Sequence, residues 1–175
     1  MHNGLVTVGD QKMSKSLGNF LLAHDVLAAH DPLVVRYALA AAHYRSSLEI
    51  TPTTFAEADA ALGRIRTFQQ RAARTLGTAT PLVAADLPEA FSAALDDDLG
   101  VPQALAVVHD HVRAGNAALA DGDDDRVAAE LHGVRAMVDV LGLDPWAPEW
   151  TRSAGGSGRT TEVVDALVRV VLDQR

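Results

Sequence analysis

From residue 20 onward, apolar residues recur at three- and four-residue spacing over most of the chain, the period of helices that bury one stripe. Phe55, Ala58, Leu62, Ile65, Ala72 and Leu76 predict a long helix over 53–76, opened by Thr51-Pro52 and stopped by Gly77 and the TATP that follows. Leu105, Val108, Val112 and Leu119 predict another over 101–120, and Val127, Leu131, Val134, Val138 and Leu141 a third over 125–141, with a short helix near 87–95 between them and the first. Asp25 and Asp31-Pro32 stand where caps and a first-turn proline would start helices at 25–29 and 31–42, with Leu33, Arg36, Tyr37 and Ala40 on one side of the second. A last helix begins near 160 with Val164, Leu167, Val168 and Val171.

The single strand signal is GLVTV at 4–8, which alternates weakly and ends at the turn pair Gly9-Asp10. One strand cannot satisfy its own backbone groups, and no partner is evident beyond the few residues after the turn. DPWAPEWTRSAGGSGR, 144–159, has no period and reads as a linker. The expected fold class is therefore mainly α: a helical bundle with a short β remnant at its amino terminus.

Composition agrees: Ala, Leu and Val dominate and aromatics are 5% of the 175 residues. There is no cysteine, which excludes disulfides and thiolate metal sites. A net charge of −8 argues against a general polyanion binder, so any nucleic-acid contact must be local. No apolar run is long enough to span a bilayer and MHNGLVTVGD lacks the parts of a signal peptide, so no membrane partner and a cytoplasmic location are expected.

Lysine usage picks out KMSKSLGN at 12–19, because Lys12 and Lys15 are the only lysines among fifteen Lys and Arg. An ammonium on a flexible stem suits an anion whose geometry changes during reaction, and phosphate is the obvious candidate. Ser14 and Ser16 can donate hydrogen bonds, and Gly18 permits a sharp turn. Such a loop could close on a triphosphate and stabilise charge that develops on departing pyrophosphate, chiefly in the transition state.

The full KMSKS string after a strand and before a helical region has the placement of this motif in class I aminoacyl-tRNA synthetases. MHNGLVTVGDQKMSKSLGNF, DPLVVRYALAAAHYRSSLEIT and FSAALDDDLGVPQALAVV together resemble the carboxy-terminal half of bacterial cysteinyl-tRNA synthetases, with AHYRS at 42–46 and DDD at 96–98 pointing to the cysteine members. The resemblance implies a ligase that activates cysteine with ATP and magnesium and transfers it to tRNA(Cys). It implies that Lys15 is the residue most directly tied to ATP, that Lys12 assists on the phosphates, and that Met13, Ser14 and Ser16 shape the loop.

It also implies what this chain lacks: an upstream nucleotide domain with a His-Ile-Gly-His type motif, and the zinc site that selects cysteine. The chain then reads as a fragment, inactive alone and expected to be monomeric. Residues 1–20 would end the catalytic domain, 21–52 contact the tRNA stem, 53–143 form a tRNA-binding bundle, 144–159 link, and 160–175 begin a further region. Two competitors stand beside this reading: the related ligase that joins cysteine to a glucosaminyl-inositol in mycothiol synthesis, and a non-catalytic helical module that binds tRNA or protein.

Arg64, Arg71 and Arg74 fall within about 80° of one another on the long helix, which makes either a solvated face or a contact for the tRNA backbone. His43, Tyr44 and Arg45 are expected to fix a junction rather than perform chemistry. Asp121, Asp123, Asp124 and Asp125 depart from a calcium loop and are expected to cap a helix, as in part are Asp96, Asp97 and Asp98. His109, His111 and His132 lack helical metal spacing, so no metal is assigned, and Gly155–Gly158 reads as linker.

Overall fold

The computed structural model describes residues 4–8, 11–14, 16, 18–77 and 87–150. The Gly9-Asp10 turn, Lys15, the stop at 78–81, the linker beyond 150 and the helix from 160 lie outside the described residues. Among those described are three short strands and six helices: β1 (Val6–Val8), β2 (Gln11–Lys12), α1 (Ala23–Ala29), α2 (Pro32–Ala40), β3 (Leu48–Ile50), α3 (Thr54–Leu76), α4 (Glu89–Asp96), α5 (Val101–Asp121) and α6 (Asp124–Val140). The chain divides into two compact units at Leu143/Asp144.

The core of the first unit lies between α3, α5 and α6, with α4 against α5 and α2 against α3. Leu62, Ile65, Phe68 and Ala72 of α3 are fully buried, as are Ala104 and Val108 of α5 and Val127, Leu131, Val134 and Val138 of α6. These follow the apolar stripes read from the sequence, except that Phe55, Leu76, Leu119 and Leu141 are only half-buried while Phe68 and Ala118 are buried. Phe68 owes its burial to Gly115 on α5: a Cβ there would run into the ring, so the two helices cross closely at a glycine.

Helix ends follow local chemistry. The Asp31 carboxylate accepts from the Leu33 amide at 2.8 Å with Pro32 in the first turn, and Asp123 caps α6 by accepting from the Arg126 amide at 3.0 Å. Asp25, expected as a cap, instead lies in the first turn of α1, which starts at Ala23 with Leu22 at its cap position. Capping also fails for Asp96–Asp98, because α5 begins at Val101 with Gly100 at its cap position and no side-chain cap.

A second correction concerns the strands. β1 is the middle of a sheet ordered β2-β1-β3, antiparallel to β2 and parallel to β3, with Val6 opposite Leu48 and Val8 opposite Ile50. β3 carries three residues and pairs across 42 positions of sequence (48 minus 6), so no local pattern announces it. In the second unit, residues 144–147, expected to start a linker, form turns in which Asp144 accepts from the Trp146 amide at 3.1 Å and the Ala147 amide at 3.0 Å, and 148–150 are helical.

Candidate functional site

The lysine loop grows out of the sheet. β1 fixes its start: Lys12 pairs with Thr7, and the Met13 amide donates to the Val6 carbonyl at 3.2 Å. Beyond the strand the loop is held by Asn19, whose side-chain oxygen accepts from the Ser14 amide at 2.9 Å while its side-chain nitrogen donates to the Lys12 carbonyl at 3.3 Å. Ser14 and Ser16 share a hydrogen bond at 2.8 Å between hydroxyls, and Gly18 turns the chain at φ 66°. Lys12 and Ser16 are exposed and Met13 and Ser14 half-buried. Asn19 was missed as a loop residue; its signal is the Gly-Asn pair that ends the string, since an Asn amide can accept and donate to the backbone at once.

Just after the loop lies an apolar exposed run. Phe20, Leu21, Leu22 and Leu27 are each at least 40% accessible, and α1 has no buried residue.

The two strings that marked the cysteine members meet in space. The Tyr44 hydroxyl donates to Oδ1 of Asp98 at 2.6 Å, Arg45 Nη1 lies 3.2 Å from Oδ2, and His43 Nε2 lies 3.0 Å from the Asp98 carbonyl oxygen. Arg45 also donates through Nε to the Tyr44 oxygen at 2.8 Å, and the Tyr44 ring stacks on the His43 ring at 4.8 Å and has the Arg45 guanidinium 5.3 Å from its centre. Its hydrogen bond to Asp98 holds the Tyr44 phenol above its ordinary pKa. Asp98 and Leu99 have φ of 53° and 55°, left-handed for two successive residues with a Cβ, which costs of order 1–3 kcal/mol per residue and persists where contacts over-determine it. His43, Tyr44 and Arg45 thus do form a junction, and Asp98 is its acceptor. A cavity of about 300 Å³ lies beside it, lined by Gly4, Val6, Leu39, Leu48, Leu99 and Val101 among others.

The arginines are placed less freely than a stripe suggests. Arg64 is exposed, Arg71 donates to the Asn116 side-chain oxygen of α5 at 2.9 Å, and Arg74 donates to the Gln70 carbonyl at 3.2 Å. His109 meets the Tyr37 hydroxyl at 2.8 Å and His111 pairs with Glu130 at 2.7 Å, each joining two helices. Burial, with Arg64 and Arg113 nearby, pushes His109 below its ordinary pKa, and burial raises that of Tyr37. Among the described residues no three His, Asp or Glu side chains converge as metal ligands.

Residues 1–60 match the family model for the tRNA synthetases class I (C) catalytic domain, and residues 90–143 match that for the DALR domain. Over all 175 residues the chain is 49% identical to the cysteine–tRNA ligase of Streptomyces coelicolor. It is 52% identical to that of Clavibacter sepedonicus and 47% identical to that of Streptomyces griseus, again with the whole chain covered. Along its whole length the chain is similar to the class I cysteine–tRNA ligases. It spans 28% of the Streptomyces coelicolor ligase and 37% of each of the other two. The lysine loop and Tyr44 fall in the segment that matches the synthetase catalytic domain, and Asp98 falls in the segment that matches the DALR domain. The Tyr44–Asp98 contact is therefore one of the places where the two matched segments touch, together with Tyr37–His109 and the Arg36 guanidinium on the Leu141 carbonyl.

Proposed function

We propose that the chain supplies the ATP-phosphate-facing loop and the tRNA-facing bundle of a cysteine–tRNA ligase. The observation that carries this is the complete KMSKS string, set on a strand pair inside a segment that matches a class I catalytic domain, with Asn19 closing the loop onto Lys12 and Ser14. In this reading the cysteine carboxylate attacks the α-phosphorus of ATP, cysteinyl adenylate forms and pyrophosphate leaves; the acyl group then passes to the 3′ end of tRNA(Cys). Lys15 and Lys12 meet the negative charge that grows on the departing pyrophosphate, and a flexible ammonium can follow it as the bond to the α-phosphorus breaks. Met13, Ser14 and Ser16 shape the loop that carries them. Magnesium would accompany ATP as substrate.

Residues 1–20 belong in this reading to the catalytic part, 21–52 to the stem contact and 53–143 to the tRNA-binding bundle, where Arg64, Arg71 and Arg74 are exposed on one side of α3. The protein works as a cytoplasmic monomer, and the 175 residues alone form no adenylate. No helix among the described residues is long and apolar enough to cross a membrane.

The test is cysteine-dependent exchange of pyrophosphate into ATP by the full-length ligase that carries this chain. Lys15→Ala is expected to slow exchange by about 100-fold or more, the scale for losing one transition-state donor. Exchange at the unsubstituted rate would overturn the assignment. Offering tRNA(Cys) and a glucosaminyl-inositol as acceptors separates the tRNA ligase from its mycothiol relative.

A further inference from the structure

A route of direct backbone contacts runs from Tyr44 to Lys12. The Gly4 amide donates to the Tyr44 carbonyl at 2.6 Å, and a Cβ on Gly4 would collide with the Ser46 carbonyl, so the strand lies directly on the 44–46 backbone. The Leu48 amide then donates to the Leu5 carbonyl at 2.8 Å, and β3 continues the pairing with β1 to Ile50. Across β1, Thr7 pairs with Lys12 and Val6 accepts from Met13. The position of Lys12 is thus set by β1, and that of β1 by residues 44–50.

The other end of this route is fixed from the bundle. Asp98 sits in the turn between α4 and α5 and receives Tyr44, Arg45 and His43 on its carboxylate and carbonyl. Those contacts join residues 54 positions apart in sequence, and they bind the left-handed Asp98–Leu99 turn to the segment on which β1 rests. A pair whose only task was stability would be buried; Asp98 is 40% and Arg45 66% accessible, so these contacts hold position more than they hold the fold.

We infer that Asp98 is a positioning residue for Lys12, acting through Tyr44 and β1, so that the bundle turn sets where the lysine loop stands. This rests on the reading of that loop as the ATP-phosphate contact. In the full-length ligase, Tyr44→Phe removes the hydroxyl that holds Asp98 and keeps the ring on His43. Mutations along a coupled route change coupling by amounts equivalent to a few-fold to about 30-fold, so KM for ATP in pyrophosphate exchange is expected to rise about fivefold. KM for cysteine and the thermal midpoint stay within error of the parent, which a general loss of structure would not permit. Asp98→Asn, which keeps size and removes charge, is expected to give the same split between substrates.

The deciding measurement is a double-mutant cycle. In a Lys12→Ala background, Tyr44→Phe is expected to change KM for ATP by less than about twofold, because both substitutions act on one route. An equal rise in both backgrounds, or no rise in either Tyr44→Phe or Asp98→Asn, overturns the inference. Full exchange activity in Lys12→Ala and Lys15→Ala together would instead overturn the phosphate reading of the loop, an outcome distinct from the first two.

Discussion

Between α3, α5 and α6 the chain buries Phe68, Leu62, Ile65, Val108, Val127, Leu131 and Val134 completely, whereas each described residue before Leu33 is half-buried or exposed. The bundle is held by apolar area removed from water, and the loop-bearing segment by backbone register, one asparagine and a cluster of charged and aromatic side chains. Burial gives stability that is non-directional and spread over many contacts; hydrogen-bonded register gives position at little stability. Such a segment opens at lower free energy than a core helix does.

The sharpest break of this contrast is Phe68→Ala. It empties the crossing of α3 and α5, and large-to-small changes of buried aromatics cost about 3–5 kcal/mol. Urea unfolding of the chain followed by circular dichroism should show that loss in its midpoint; a change under about 1 kcal/mol would mean the crossing is loose.

Asp31 probes the boundary between the regions, since it caps α2 and pairs with Arg66 of α3 at 2.7 Å. Burial by itself would raise its pKa, but the hydrogen bonds from Arg66 and the Leu33 amide outweigh that and hold it below the ordinary carboxylate value. The charged form is thus favoured by folding: its contribution is present above the unfolded pKa near 4 and is lost as pH falls through the folded value. Asp31→Ala is expected to cost about 1 kcal/mol at pH 7, the scale of a lost cap, and the gap between variant and parent should shrink below about pH 4. A gap that does not change with pH would remove the charge from the account.

The smallest effect is on His109, where α5 meets Tyr37 of α2. Its lowered pKa means that folding favours the neutral ring, so stability from this group is complete above the unfolded value near 6.5 and declines as pH falls toward the folded one. Titration by NMR should place its midpoint below about 6.5; a midpoint above that would show that the Tyr37 contact favours the charged imidazolium instead.

Legibility in sequence divides along the same line. Helices α2 to α6 could be read because their apolar period, Asp31-Pro32 and Asp123 are local, and errors arose where neighbours decide: Phe68 is buried because Gly115 lies opposite, and Asp25 does not cap because α1 starts two residues earlier. β3 left no trace, since three residues paired across the chain carry no period. At the loop, the lysines and serines were visible as a string. That Asn19 ties the loop and that AHYRS meets DDD were not, because a side chain's partner is a fact of the fold. The junction role expected for residues 43–45 was sound, but its acceptor had been taken for a helix cap.

The route from Asp98 to Lys12 also has an order in time. A ribosome adding about 5–20 residues per second releases β1, then β3, and places Asp98 within reach of Tyr44 only about 3–11 s after Tyr44 itself has been added. Once Leu48–Ile50 have been added, β1 has a parallel partner but not yet the Tyr44–Asp98 contact, and the apolar run from Phe20 to Leu22 is open to solvent. The last contact of this route to close is then the one between Tyr44 and Asp98, which comes after the synthesis of α4 and not with that of the loop.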